Sequence, residues 1–238
     1  MQDNGRQAHW NEAYATRGEK GVSWYEDAPM PSLDLMRQCG ATAKSSLIDV
    51  GGGASRLVDA LLAQGMHDLA VLDLSAAALD VAEARLGAAA AQVEWIVSDI
   101  TAWQPARTYD FWHDRAAFHF LIRPEDRAAY VERLHAAVKP HGHAIIATFA
   151  PDGPEKCSGL PVMRYDPQAL AGVIGPHFQL VDERRHVHTT PWGSTQSFQF
   201  SVFRHLPESG GSRRPEIHHP RIERPAASPE YSLRSTRR

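Results

Sequence analysis

Between residues 45 and 205 the chain alternates short apolar runs with stretches of helical periodicity. Leu47–Val50, Leu69–Leu74, Val93–Asp99, Tyr109–Arg115 and Ala144–Phe149 each have the length of a buried strand. The intervening stretches repeat apolar residues at three- and four-residue spacing. They are Leu57, Val58, Leu61 and Leu62 after Ser55, an Ala-rich run from Ser75 through residue 91, and Pro124 through Val138. Ser55 and Ser75 stand where N-caps are expected, and Pro124 with Glu125 and Asp126 where a helix should begin. Pro140-His141-Gly142-His143 reads as a turn. A helix is expected at 167–174, then two strands, Phe178–Thr190 and Gln196–His205, around Pro191-Trp192-Gly193-Ser194. Strands alternating with helices predict a doubly wound α/β fold.

The flanks read differently. Residues 1–44 are predicted to form cap helices, one over 7–16 and one from Pro31, with aromatic pairs at Trp10/Tyr14 and Trp24/Tyr25. Residues 45–206 form the central domain, interrupted by a long loop at 150–166 of the kind used for binding. From 207 to 238 there are seven Arg, five Pro and almost no aliphatic residues, which predicts a disordered basic tail.

Composition narrows the setting. The chain has 238 residues, 43% hydrophobic and 22% charged, with net charge −3. Outside the tail, 24 acidic residues face 18 basic ones, which argues against nucleic acid as a partner. No apolar run has the length of a membrane span, and Met-Gln-Asp-Asn-Gly lacks a basic-then-apolar leader pattern. Cys39 and Cys157 are too few for a disulfide framework. The expectation is a cytoplasmic protein acting on a small molecule, without membrane, nucleic acid or metal.

The chemistry concentrates where strands end. Asp49 precedes Gly51-Gly52-Gly53, and a strand turning into a helix over glycines brings bare backbone to a ligand. A dinucleotide fingerprint would carry a further Gly where Arg56 stands. Asp73, closing the second strand, suits a bidentate hydrogen bond to a ribose diol. Asp99 closes the third.

Acid, glycine turn and two further strand-end acids resemble motif I and its partners in the class I S-adenosylmethionine (SAM) methyltransferases. That resemblance implies SAM as cofactor and a mostly parallel seven-stranded Rossmann-like sheet with an antiparallel last strand. It also implies cofactor contacts from Asp49, Gly51, Gly53, Asp73, Leu74, Asp99 and Ile100. Asp49 would face the cations of SAM, and Asp99 with Ile100 the adenine. The segment His9-Trp10…Tyr14…Ser23-Trp24-Tyr25 resembles the N-terminal part of several such enzymes, some protein-lysine methyltransferases included. It nominates Trp10, Trp24 and Tyr25 as substrate contacts.

Trp112-His113-Asp114-Arg115-Ala116-Ala117, Pro124–Tyr130 and Pro191-Trp192-Gly193 are similar to the thiopurine and thiol S-methyltransferase branch. Two features depart from it: His113 is inserted between Trp and Asp, and His119 replaces a usual aliphatic residue. The implied function is methyl transfer to a small, soft, thiol-like nucleophile. Catalytic candidates are Asp114, Arg115 and His119, with His113 at the substrate. Strand alternation puts His113 and Arg115 on one face and Asp114 on the other. Asp114 and Arg115 could equally form a salt bridge. Cys157 beside Lys156 is either a thiol of lowered pKa or an incidental one. Alternatives are protein-lysine methylation and non-catalytic SAM binding. A nicotinamide oxidoreductase is disfavoured by the turn and by the lack of a Tyr-x-x-x-Lys pair.

Overall fold

The structure, a computed structural model, describes residues 3–207. The expected basic tail lies, from residue 208, outside the described residues. Seven strands form one sheet: β1 (Ser46–Val50), β2 (Asp68–Asp73), β3 (Val93–Val97), β4 (Tyr109–Arg115), β5 (Val138–Phe149), β6 (Phe178–Thr189) and β7 (Thr195–His205). Their spatial order is β3-β2-β1-β4-β5-β7-β6. The first five are parallel, and β7 is antiparallel to both β5 and β6. Chain order reverses at β1, so the crevice for a ligand opens beyond its C-terminal end.

Six helices accompany the sheet: α1 (Asp3–Arg17), α2 (Met30–Gln38), α3 (Leu57–Ala63), α4 (Ala76–Leu86), α5 (Pro124–Ala137) and α6 (Pro167–Ile174). Strand alternation divides the core into two layers. Ile48, Val50 and Trp112 pack with Tyr130 and Leu134 of α5 and Leu170 of α6. Leu47, Phe111 and Ile145 pack with Leu35 and Met36 of α2, Leu57 and Leu61 of α3 and Leu79 of α4. Burying each such side chain contributes on the order of 1.5–3 kcal/mol. α2, expected as part of a cap, is therefore built into the core.

Local details depart from the sequence pattern. Ser55 does not cap α3. Its Oγ accepts from the Leu57 amide at 3.1 Å, while Arg56 occupies the N-cap position without a side-chain cap. Ser75 does cap α4, accepting from the Ala78 amide at 3.1 Å. The Ala-rich helix stops at Leu86, because Gly87 takes φ +56°, and continues as a 3-10 turn over Gly87–Gln92. The expected turn at 140–143 is absorbed into β5, whose register shifts opposite Tyr109 and Phe111. A Cβ on Gly142 would lie 2.9 Å from the Asp110 carbonyl oxygen, so glycine lets the strands close over the irregularity. The long loop contains a small antiparallel pairing of Lys156–Cys157 with Leu160–Pro161.

Candidate active site

The turn after β1 sets the floor of the crevice. Gly51 takes φ +66°, and a Cβ there would lie 2.5 Å from the Ala117 Cβ. Gly53 takes φ +46°, and its Cβ would meet the Tyr14 hydroxyl at 2.9 Å and Asp73 Oδ2 at 3.1 Å. Both positions need glycine for conformation and for space.

A cavity opens above this turn, between the ends of β1–β4 and helix α1. Gly51, Asp73, Leu74, Asp99 and Ile100 line one part of it; Trp10, Trp24, Arg115, Phe120 and Cys157 line another, and Tyr14 borders it. Of the sequence-nominated cofactor residues, these five come together on one wall, and Gly53 supports the turn behind them. Asp73 is a half-buried carboxylate pushed up to about 7 by desolvation, against the amide hydrogen bond from Ser75 at 2.7 Å. Asp99 is already engaged. Its Oδ1 accepts from the Thr101 amide and hydroxyl at 2.8 and 2.7 Å, and Oδ2 pairs with Arg6 of α1 at 2.9 Å. Gln7 of α1 donates to the Leu74 carbonyl at 3.1 Å, and Ser75 Oγ donates to Asn11 Oδ1 at 2.7 Å. Sequence reasoning missed Arg6, Gln7 and Asn11, because polar residues on a short helix carry no signal of what they reach.

Asp49 and His113 occupy paired positions on neighbouring strands, facing the same layer. His113 Nδ1 donates to Asp49 Oδ1 at 2.7 Å, and its Nε2 meets Ser32 Oγ at 2.8 Å. Asp49 folds under the turn, where a Cβ on Gly52 would strike its Oδ2 at 2.6 Å. Both side chains therefore leave the aromatic cavity. They border a second hollow, with Glu19, Tyr25, Glu26 and Arg56, that shares Tyr14, Trp24, Gly51 and Arg115 with the first. The direct contact expected of His113 with substrate is not what the structure places there: the ring is 2% exposed and bonded at both nitrogens. Tyr25 lines the outer hollow, its hydroxyl bonded to Asp27.

The three catalytic candidates separate. Asp114 faces the opposite layer, as alternation requires, and is fully buried. It accepts from the amides of Ala117 and Phe118 and from the Tyr130 hydroxyl at 2.8 Å. Tyr130 in turn accepts from Trp112 Nε1 at 2.8 Å. Arg127 Nη1 donates to the carbonyls of Leu121 and Ile122. Trp112, Asp114, Arg127 and Tyr130 thus fasten β4 and the following 3-10 turn (Phe118–Phe120) to α5. Asp114 and Arg115 form no salt bridge. His119 is also fully buried and points away from the cavity. Burial and the nearby Arg115 push its pKa down to about 3, which leaves a neutral ring with little basicity. Phe149 N–H reaches its Nδ1 at 3.4 Å, and Nε2 has no hydrogen-bond partner among the described residues.

Arg115 does reach the cavity. Its Nη1 donates to the Trp24 carbonyl at 2.8 Å, Nη2 lies 2.9 Å from Glu26 Oε1, and the guanidinium stacks over Phe198 at 4.8 Å. Trp10 meets Trp24 and Phe120 edge to face at 5.5 and 5.0 Å. Cys157 is buried, and burial pushes its thiol up to about 11. Of the two readings of Cys157, this speaks for the incidental thiol and against the activated one. No group of residues suited to hold a metal ion occurs among the described residues.

Fold and crevice together define a class I methyltransferase architecture. Residues 47–142 match a family model described as a methyltransferase domain. Solved structures share the fold over nearly the whole domain. A SAM-dependent methyltransferase from Anabaena variabilis superposes with TM-score 0.66 at 17% identity, covering 85% of this chain and 94% of that one. A 1,6-didemethyltoxoflavin-N1-methyltransferase from Burkholderia thailandensis gives 0.65 at 19%, covering 87% and 92%. The N-methyltransferase NodS from Bradyrhizobium japonicum gives 0.63 at 15%, covering 83% and 98%. Comparison with curated proteins finds no match. Residues 47–142 thus match a methyltransferase domain, and the fold is shared with SAM-dependent methyltransferases. Among the described residues no helix is long and apolar enough to cross a membrane.

Proposed function

We propose that this protein transfers the methyl group of SAM to a small molecule through a soft, thiolate-type nucleophile. The residues fit the cofactor. The half-buried Asp73 carboxylate lacks donors enough to offset its desolvation, and a ribose diol would supply two. The side-chain-free turn at Gly51 leaves room for the amino-acid part of SAM, and Asp99 with Ile100 borders the place for adenine. The B. thailandensis and B. japonicum structures are complexes with S-adenosylhomocysteine (SAH), which supports this reading.

The observation that carries the acceptor assignment is the lack of a base among the described residues that line the aromatic cavity. Away from Asp73 and Asp99, the ionisable side chains lining the aromatic cavity are Arg6, Tyr14, Arg115 and Cys157. Burial raises both the Tyr14 hydroxyl and the Cys157 thiol, and neither arginine accepts a proton near neutrality. Asp114 and His119, the candidate bases, do not line it. An acceptor that enters already ionised needs no such group, and a thiol with pKa near ~8.5 meets that condition with a small downward shift beside Arg115. The cofactor supplies an activated methyl group with a good leaving group. The protein's part is to align the nucleophile between Trp10, Trp24 and Phe120 and to exclude water.

The test is SAH release from SAM over a panel of small thiols, amines, carboxylic acids and lysate proteins. Turnover confined to small thiols, with kcat rising as the thiol ionises, is expected. Turnover on protein lysines alone would overturn the assignment.

A further inference from the structure

Glu26 stands where Arg115 and two histidines meet. Arg115 Nη2 lies 2.9 Å from its Oε1, His188 Nδ1 3.1 Å and His186 Nε2 3.7 Å. Lys20 and Asp27 border the same outer groove. On the inner side Arg115 is bordered by Asp49, His113, Glu19 and Arg56. His188 is 3% exposed, and its other nitrogen, Nε2, lies 2.7 Å from the Ser23 carbonyl. A carbonyl oxygen accepts and never donates, so Nε2 carries a proton. Nδ1 faces a carboxylate at 3.1 Å, the contact that a second ring proton would complete. Against the upward push of burial, the His188 hydrogen bond and the Arg115 charge leave Glu26 below the ordinary carboxylate value, so it is an anion.

One histidine from β6 therefore grips a loop at Ser23 and at Glu26, three residues apart. The loop it grips holds Arg115 twice, through the Trp24 carbonyl and through Glu26. Trp24 itself lines the cavity and donates to the Tyr14 hydroxyl at 3.1 Å. We propose that Glu26 and a doubly protonated His188 are positioning residues, which set Arg115 and Trp24 for the methyl acceptor and leave the adenosine wall untouched. The inference rests on the methyltransferase reading above. Neither residue lines the cavity beside Asp73, Asp99 and Ile100.

The test uses the full chain, wild type, Glu26→Gln and His188→Gln, with three readouts. Nitrogen-resolved NMR of the histidine side chains should show one imidazolium at pH 7.5, absent in His188→Gln and turned neutral in Glu26→Gln. SAH affinity by calorimetry should stay within about threefold of wild type in both variants, since both wall acids are intact. With the thiol selected by the release screen, kcat/KM should fall at least about tenfold in each variant. A neutral His188 ring at pH 7.5, or an imidazolium unchanged by Glu26→Gln, overturns the proposal whatever the activity. Failure of wild type to bind SAH would instead defeat the methyltransferase reading, and leave the NMR result to judge the clasp.

Discussion

Asp73, in its proposed role at the ribose, illustrates how a binding residue works against stability. Its ordinary carboxyl value is 3.8, and burial raises it to about 7. Between those values the folded protein holds a proton that the unfolded chain has lost, so stability falls as pH rises through that window. Asp73→Asn keeps an oxygen for the Ser75 amide and removes the desolvated charge. We predict a higher Tm for the ligand-free variant above pH 7, by thermal unfolding, together with SAH binding weakened by about 1–3 kcal/mol. A lower Tm would mean that the charge is compensated by groups already present. Gly51→Ala should cost both properties. It forces a side chain to φ +66° and onto Ala117, so we predict a loss of roughly 1–3 kcal/mol in stability and no measurable SAH binding. The glycines and the strand-end acids were readable in the sequence because their chemistry depends on type and order. Asp49, Asp114, His113 and His119 show where such reading stops. Type and strand position were right, but only the neighbouring strand, α5 and Ser32 decide that each points into packing and away from the aromatic cavity.

At the scale of elements, the β4–α5 link carries a lesson about resemblance. The residues similar to thiol methyltransferases, Trp112, Asp114, Arg127 and Tyr130, bind one another or nearby backbone, so they specify how a strand meets a helix. We predict that Asp114→Asn lowers stability by about 1–3 kcal/mol in denaturant unfolding, because amides and a hydroxyl lose their charged acceptor, while SAH affinity in the folded protein is unchanged. Affinity lost in proportion would return Asp114 to the site. Helix α1 is tied to the ends of β2 and β3 by Arg6, Gln7 and Asn11, with few apolar side chains of its own buried. Its amides should exchange faster in Arg6→Ala and slower with SAH present, in hydrogen-exchange mass spectrometry. Equal exchange in all three states would deny α1 a part in covering the cavity. Strand and helix positions were anticipated from periodicity nearly throughout. The misses, at Ser55, Gly87 and 140–143, are places where a single backbone torsion or a neighbouring strand outweighs local preference.

Across the whole molecule, the sheet order places two walls of the cavity on opposite sides of the Gly51 turn, the donor wall and the acceptor wall of the proposed reaction. β2 and β3 bring Asp73 and Asp99 to one side. β4, the 150–166 loop and the N-terminal aromatics bring Arg115, Cys157, Trp10 and Trp24 to the other. The sequence pattern reached the fold and the donor wall. It did not reach the acceptor wall, where residues more than a hundred positions apart, such as Trp24 and Cys157, come together only through the sheet. The most direct measurement is a calorimetric titration of the full chain with SAH, repeated with Asp73→Asn and with NADH as the competing ligand class. We predict single-site SAH binding on the order of micromolar, at least fivefold or so weaker in the variant, and no heat from NADH. Binding of NADH in place of SAH, or SAH affinity indifferent to Asp73, would contradict the assignment of this crevice to SAM.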